Sequence, residues 1–209
     1  MPAPPPLPYL IPAGEIQIEQ VVVNSRFITT ALPVFTVEEV KAALSRIRAA
    51  MPDANHHVYA YRIGFGSSVI EGMSDDGEPT GTAGPPALAA VRGSDLGDVL
   101  VVITRYFGGR KLGTGGLVRA YTDAAHQVLA AVPRILKIRR VQIGVDLAYS
   151  YYERLKRLIA EYDGVIDDES FGQQVSVILT LPESALESFT SRLADLTAGQ
   201  VVLVRFDAE

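Results

Sequence analysis

Residues 99–103 read Val-Leu-Val-Val-Ile, an apolar run without alternation, and such a run fits a strand buried on both faces. A strand of that kind needs a packed layer on each side. It passes through Thr104, Arg105 and Tyr106 into a loop carrying Gly108, Gly109, Gly113, Gly115 and Gly116 before a helical pattern takes over. Gly115 or Gly116 opens that helix, with Leu117, Tyr121, Ala124, Val128 and Ala131 inward at helical spacing, and Pro133 stops it.

The preceding chain supplies the other layers. Residues 15–25 and 25–34 are rich in β-branched side chains and read as two strands separated near Asn24. Thr36 with Glu39 makes a capping box, after which Val37, Val40, Leu44, Ile47 and Met51 recur at helical spacing until Pro52. Residues 57–63 and 67–73 read as a strand pair turning around 64–67, followed by the acidic loop SDDGEPTGTAGPP. Residues 87–93 predict a short helix with Pro85 or Pro86 in its first turn and Gly93 at its end.

Beyond Pro133-Arg-Ile-Leu-Lys137 the pattern restarts. Residues 138–147 read as strand, 151–163 as helix stopped by Gly164, 165–170 and 173–181 as a strand pair, 183–196 as helix and 200–206 as strand. The order βαββαβ is the ferredoxin-like arrangement. No sequence repeat relates the two halves. At 209 residues, 48% hydrophobic and 21% charged, the chain has room for one good core or two small ones without disulfide or metal staples. Six of the first twelve residues are proline, which predicts an extended, mobile tail.

With no cysteine, disulfide frameworks, thiolate nucleophiles and thiolate-bound zinc are excluded. The opening residues do not form a leader peptide pattern, and no apolar stretch reaches membrane-span length, so the expectation is a soluble cytoplasmic protein without a membrane partner. The net charge of −5 is unevenly spread: residues 1–137 carry 12 basic and 12 acidic side chains, residues 138–209 carry 7 and 12. Between Arg105 and Lys137, six basic residues face one acid, Asp123, so positive charge is concentrated around the glycine loop.

A glycine-rich loop running from a strand into a helix suits anions, because the first helical amides lack partners and the helix dipole adds positive charge. The spacing is not that of a Walker ATPase, since Thr114 stands where the lysine belongs, nor of a Rossmann site, since Val118 replaces the third glycine. Arg110, Lys111 and Arg119 crowd the helix start, where each cation opposes the dipole by about 0.3–1 kcal/mol. Something negative should compensate: Asp75, Asp76 and Glu78 folding back as internal ion pairs, or the phosphate of a nucleotide or RNA. The same three acids could ligate Mg²⁺ or cap the helix that follows them. His56 and His57 are adjacent and face opposite ways in a strand, which prevents joint chelation, and His126 is one polar position on a helix. Tyr106, Phe107, Tyr121, Tyr59 and Tyr61 near the basic region are either base-stacking platforms or core packing.

SDDGEPTGTAGPP from Ser74 and TRYFGGRKLGTGGLVRAY from Thr104, with SRFI from Ser25 and PDANHH from Pro52, resemble the signatures of the Impact / YigZ family. With a Pro-rich tail at 1–14 and a linker at 133–137, the resemblance implies an Impact N-terminal domain at 15–132 and a ferredoxin-like C-terminal domain at 138–209. It implies for the first domain a ribosomal-protein-like α/β sandwich with a left-handed βαβ crossover, and hence an α+β chain of two domains. The family's eukaryotic members restrain an initiation-factor kinase by competing for its activator. The expected function is therefore translation-related regulation through RNA phosphate, a ribosome-associated partner or a regulatory protein, with no catalysis and no cofactor. Arg105, Tyr106, Gly108, Gly109, Lys111, Gly113, Gly115, Gly116 and Arg119 form the candidate anion or nucleic-acid site, opposite Asp75, Asp76 and Glu78. Two alternatives remain open: a GHMP-kinase-like phosphotransferase and a protein-interaction module.

Overall fold

The computed structural model describes residues 8–66, 69–201 and 203–206; the proline-rich stretch 1–7, and Ser67, Ser68 and Val202 of the expected strands, lie outside them. The chain forms two compact units, Met1–Lys137 and Ile138–Glu209. Both combine an antiparallel sheet with helices, so the protein is α+β.

Unit 1 contains β1 (Tyr9–Pro12), β2 (Ile16–Val22), β3 (Ser25–Pro33), α1 (Val37–Ala50), β4 (His56–Ile63), β5 (Ile70–Ser74), α2 (Gly84–Gly93), β6 (Val99–Tyr106), α3 (Gly113–Ala131) and β7 (Arg134–Lys137). Its five-stranded sheet has the order β2-β3-β6-β4-β5. The apolar run at 99–103 is fully buried, as an unalternating pattern requires. Val101 and Ile103 join Phe27, Val58 and the α2 and α3 side chains on one face. Leu100 and Val102 join Leu32, Val34 and the Val40, Leu44 and Ile47 side chains of α1 on the other. Alternate side chains of a strand point to opposite faces, so one pentapeptide anchors three layers.

Local signals act where the sequence places them. Val23 and Asn24 both take positive φ, 49° and 67°, as the two-residue turn of a twisted hairpin demands. Thr36 Oγ1 accepts from Glu39 N at 3.1 Å, while Glu39 Oε2 accepts from Phe35 N at 2.8 Å, one residue before the expected reciprocal donor. The helix α3 begins at Gly113, earlier than the glycine pair 115–116, and Ala131 is exposed because the last turn presents Leu129 and Val132 inward instead.

Two segments differ from expectation. Tyr9–Pro12, assigned to the solvated tail, and Arg134–Lys137, assigned to the linker, pair as an antiparallel ribbon in which Tyr9 opposes Lys137 and Pro12 opposes Arg134. Tyr9 and Ile11 are buried. Pro12 falls at the strand end, where its missing N–H breaks no ladder. The buried Asp98 ties the ribbon down: Oδ2 accepts from Tyr9 OH at 2.7 Å and from Lys137 Nζ, and Oδ1 accepts from Gly64 N at 2.7 Å.

Unit 2 contains β8 (Arg140–Leu147), α4 (Tyr149–Glu161), β9 (Val165–Phe171), β10 (Val175–Pro182), a 3-10 turn at Glu183–Ala185, α5 (Leu186–Thr197) and β11 (Leu203–Phe206). The connectivity is βαββαβ and the antiparallel sheet order is β11-β8-β10-β9. Burial alternates strictly along β10, and its inward Val175, Val177, Leu179 and Leu181 pack against Leu155, Ile159 and Phe189 of the helices. Gly164 follows α4 because a Cβ there would lie 2.7 Å from Ile159 Cγ2. Among the described residues no helix is long and apolar enough to cross a membrane.

Candidate functional site

The loop from β6 to α3 is shaped by where its glycines stand. A Cβ on Gly108 would meet Asn24 O at 2.0 Å, so the loop passes directly over the β2–β3 turn, and only glycine allows that approach. Gly113 takes φ +74°, a conformation costly for other residues, and turns the chain into α3. At Gly115 a Cβ would meet nothing within 4 Å, and at Gly116 it would press only on Leu112 Cβ at 3.1 Å. Sterics inside the fold therefore do not explain Gly115.

The start of α3 has no side-chain cap and no acidic residue in its first turn. The start of α2 is the opposite case. Asp75 Oδ1 accepts from Ala83 N at 3.0 Å and Gly84 N at 2.7 Å, and Oδ2 accepts from Gly81 N at 2.9 Å. Burial alone would raise the Asp75 carboxyl, but the three amides of Gly81, Gly84 and Ala83 outweigh it and hold it below the usual carboxylate range.

The acidic loop is thus divided among three tasks. Asp76 Oδ1 pairs with Arg48 Nη2 at 2.6 Å, and Oδ2 accepts from His57 N at 2.6 Å, joining the loop to α1 and β4. Glu78 points into the interior, where Oε1 accepts from Arg105 Nη1 at 2.6 Å and from Tyr121 OH at 2.7 Å. His56 Nε2 lies 3.8 Å from the same oxygen, and His56 Nδ1 is 2.8 Å from Asp76 O. Among the described residues no group of three His, Asp or Glu gathers around one point as metal ligands would.

Arg105 is buried on β6, its guanidinium over Phe27 at 5.5 Å and Phe107 at 5.6 Å, with Nη2 donating to Ser25 Oγ at 3.2 Å. The positively charged residue placed by sequence at the anion site is therefore engaged from within. Tyr121 is wholly buried, and burial followed by its bond to Glu78 drives its phenol far above the ordinary value. Tyr59 and Tyr61 are partly buried and stack at 6.4 Å against the α1 side of the core. Tyr106 OH donates to Asp53 Oδ1 at 3.3 Å beneath Arg26, while Phe107 is exposed. His57 is buried against Thr104 Oγ1 at 3.0 Å, facing away from His56 as adjacent strand residues must.

A cavity of about 310 Å³ lies where these parts meet, between the buried pair and the α3 start, bordered by Lys111, Gly113 and Thr114. Lys111 and Arg110 take part in no ion pair among the described residues, and Arg119 only faces Asp123 at 3.9 Å from an exposed position. Gly109 is exposed, with φ +80°. Sequence reasoning missed Ser25 and the polar role of Tyr121. The signal for Tyr121 was present, since a phenol on the inner stripe of a helix requires a partner for its hydroxyl.

These features define a two-unit α+β protein whose candidate site is a glycine-rich strand-to-helix loop over a buried carboxylate–guanidinium pair. The chain belongs to the IMPACT family. Residues 23–129 match the Impact N-terminal domain, and residues 145–200 match a Domain of unknown function (DUF1949). It is 36% identical over 196 residues to an IMPACT family member of Haemophilus influenzae, covering 93% of this chain and 95% of that protein. It is 35% identical over 200 residues to IMPACT family member YigZ of Escherichia coli, covering 95% and 98%. Protein IMPACT of Xenopus laevis is 36% identical over 94 residues, 43% of this chain and 30% of that protein. A solved structure described as "Crystal structure of an hypothetical protein" superposes with a TM-score of 0.69 at 35% identity, covering 97% of this chain and 98% of that one.

Proposed function

We propose that the protein is a non-catalytic, translation-related regulator that binds RNA phosphate at the start of α3, in the cytoplasm. The observation that carries this reading is the contrast between two helix starts in one unit. Asp75 satisfies the amides at α2, whereas among the described residues the α3 amides have no side-chain partner and Arg110 and Lys111 beside them no ion pair. Amides and cations converging without an acid favour an outside anion. Fold analogy adds support of a weaker kind: the βαββαβ order matches the ferredoxin-like arrangement, and we read unit 1 as a ribosomal-protein-like domain with a left-handed βαβ crossover. Analogy of fold alone does not establish function.

The phosphotransferase reading has less support, because Asp75 and Asp76 are committed to backbone amides and Arg48 and so do not stand free to hold Mg²⁺. The test is single-stranded RNA binding followed by anisotropy between about 50 and 200 mM salt. The variant Arg110→Ala/Lys111→Ala/Arg119→Ala is expected to bind more weakly, with the salt slope reduced by about 0.7 for each phosphate no longer neutralised. Unchanged affinity and slope would remove the proposal. Retained capture of a protein from nuclease-treated lysate, without RNA binding, would favour the interaction-module reading.

A further inference from the structure

We infer that the outer face of the unit 2 sheet is a self-association surface, on which a second copy of this chain docks about a two-fold axis lying across the strands. This surface goes beyond the phosphate reading of unit 1 and does not depend on it. The inward side chains of β8 and β10, from Val141 and Ile143 to Leu179 and Leu181, pack against α4 and α5. The alternate residues form the opposite face, and an antiparallel sheet that leaves such a face to water carries polar side chains there. Here Ile178, Val204 and Phe206 lie on that face, with Val204 56% and Phe206 42% exposed. Gly144 stands among them. A Cβ on it would lie 3.0 Å from Phe206 Cε2, so the ring lies across the glycine and the centre of the face is low and apolar. An apolar centre with a charged rim marks a protein interface.

The charges at the rim select the partner. Arg140 and Asp146 stand near opposite ends of β8, three residues to either side of Ile143. At the Arg140 end, Arg139, Gln142, Thr180 and Phe206 help to line a hollow of about 310 Å³. Three guanidiniums there, counting Arg205, meet two carboxylates: Glu183, shared by Arg139 and Arg205, and the exposed Asp163, paired with Arg140. At the other end Asp146 accepts from Ser176 Oγ and takes part in no ion pair among the described residues. One end is short of an anion and the other of a cation. Ile143, Leu179 and Arg205 are register partners, so an axis along that row exchanges the two ends. It sets Arg140 of each copy over Asp146 of the other, Val204 over Phe206 and Thr180 over Ile178, as an isologous contact requires. The apolar centres then close at the usual sheet-to-sheet spacing of about 10 Å, while Asp167 and Asp168 of the edge strand β9 stay at the wet rim. An axis along β8 would set Arg140 over Arg140, so charge fixes the register as well as the partner.

The test is sedimentation equilibrium of the full chain at rising concentration, and a monomer–dimer equilibrium is expected. Val204→Lys places a charge in the apolar centre, and Asp146→Arg sets like charges together. Each is expected to weaken the dimer by at least about tenfold. Arg140→Asp alone should do the same, whereas an equimolar mixture of Arg140→Asp and Asp146→Arg chains should recover the dimer, because both pairs between the copies are then opposite in charge. Melting curves separate lost docking from lost folding; if Arg140→Asp does not fold, the other two variants still decide. A single-chain mass at every concentration up to about 1 mM overturns the inference. So does a dimer that the variants leave unchanged, which uses another surface. A mixture that stays monomeric overturns the two-fold pairing of Arg140 with Asp146.

Discussion

Glu78 Oε1 and Arg105 Nη1 stand 2.6 Å apart inside unit 1, 27 residues distant along the chain, and both side chains are almost entirely removed from solvent. A buried pair of this kind adds little net stability but is costly to break, because the survivor is left as an uncompensated charge. Glu78→Ala or Arg105→Ala is therefore expected to lower unfolding free energy by about 3–5 kcal/mol. Glu78→Ala with Arg105→Ala together should lose less than the two single losses added. Urea denaturation of the two singles and the double measures this, and additive losses would contradict the pairing.

Tyr121 links pH to stability through the same carboxylate. Its folded phenol is held protonated well above the ordinary value, while the unfolded phenol releases its proton near pH 10. Above that value the folded state binds more protons than the unfolded state. Stability is therefore complete below about pH 10 and falls as pH rises beyond it. Tyr121→Phe is expected to cost about 1 kcal/mol at neutral pH and to flatten the alkaline decline. Denaturation curves taken from about pH 8 to about pH 11 check it, and equal alkaline slopes for both proteins would refute it.

His57 governs the acidic side. Burial, the largest influence, lowers its folded pKa below the ordinary value despite the nearby Asp76. In the window between the two pKa values the unfolded state binds more protons, so stability falls as pH drops below about 6.5. An NMR titration should find the His57 ring still neutral where an unfolded histidine is half protonated. His57→Gln is expected to weaken the acid dependence that sets in below about pH 6.5, leaving the later loss from Asp75 protonation near and below about pH 4. An unchanged profile over the upper window would exclude His57 as its source.

Two glycines of the loop are expected to respond in opposite ways. Gly108→Ala would drive a methyl group into the Asn24 backbone and should destabilise unit 1 by several kcal/mol, on the order of 3 or more, since neither backbone can yield cheaply. Gly115→Ala meets open space in a helix and should stabilise by roughly 0.5–1 kcal/mol. If Gly115 keeps the backbone open to phosphate, the stabilised variant should bind RNA more weakly. Thermal melts paired with anisotropy separate the effects, and full RNA affinity in Gly115→Ala would deny the glycine that role.

Much of the architecture was legible from residues taken locally. The run at 99–103, the alternation along 175–182 and the Thr36–Glu39 pair each report an environment through a period or spacing a few residues long. The ribbon formed by tail and linker was not legible, for the complementary reason. Prolines near residue 9 argue locally for a solvated coil, and nothing nearby reveals that Arg134–Lys137 will supply a strand partner or Asp98 an anchor.

The site divides along the same line. By itself the sequence determined that a glycine-rich turn enters a helix beside Arg110 and Lys111, because backbone freedom and charge are properties of the residues themselves. Only the tertiary structure decided that Asp75 serves α2, that Asp76 binds Arg48 and the His57 amide, and that Glu78 turns inward to Arg105 and Tyr121. Three acids within four positions look interchangeable along a chain. They part company because a carboxylate is held by whichever donors the fold brings within about 3 Å, and those donors come from elements far away in sequence.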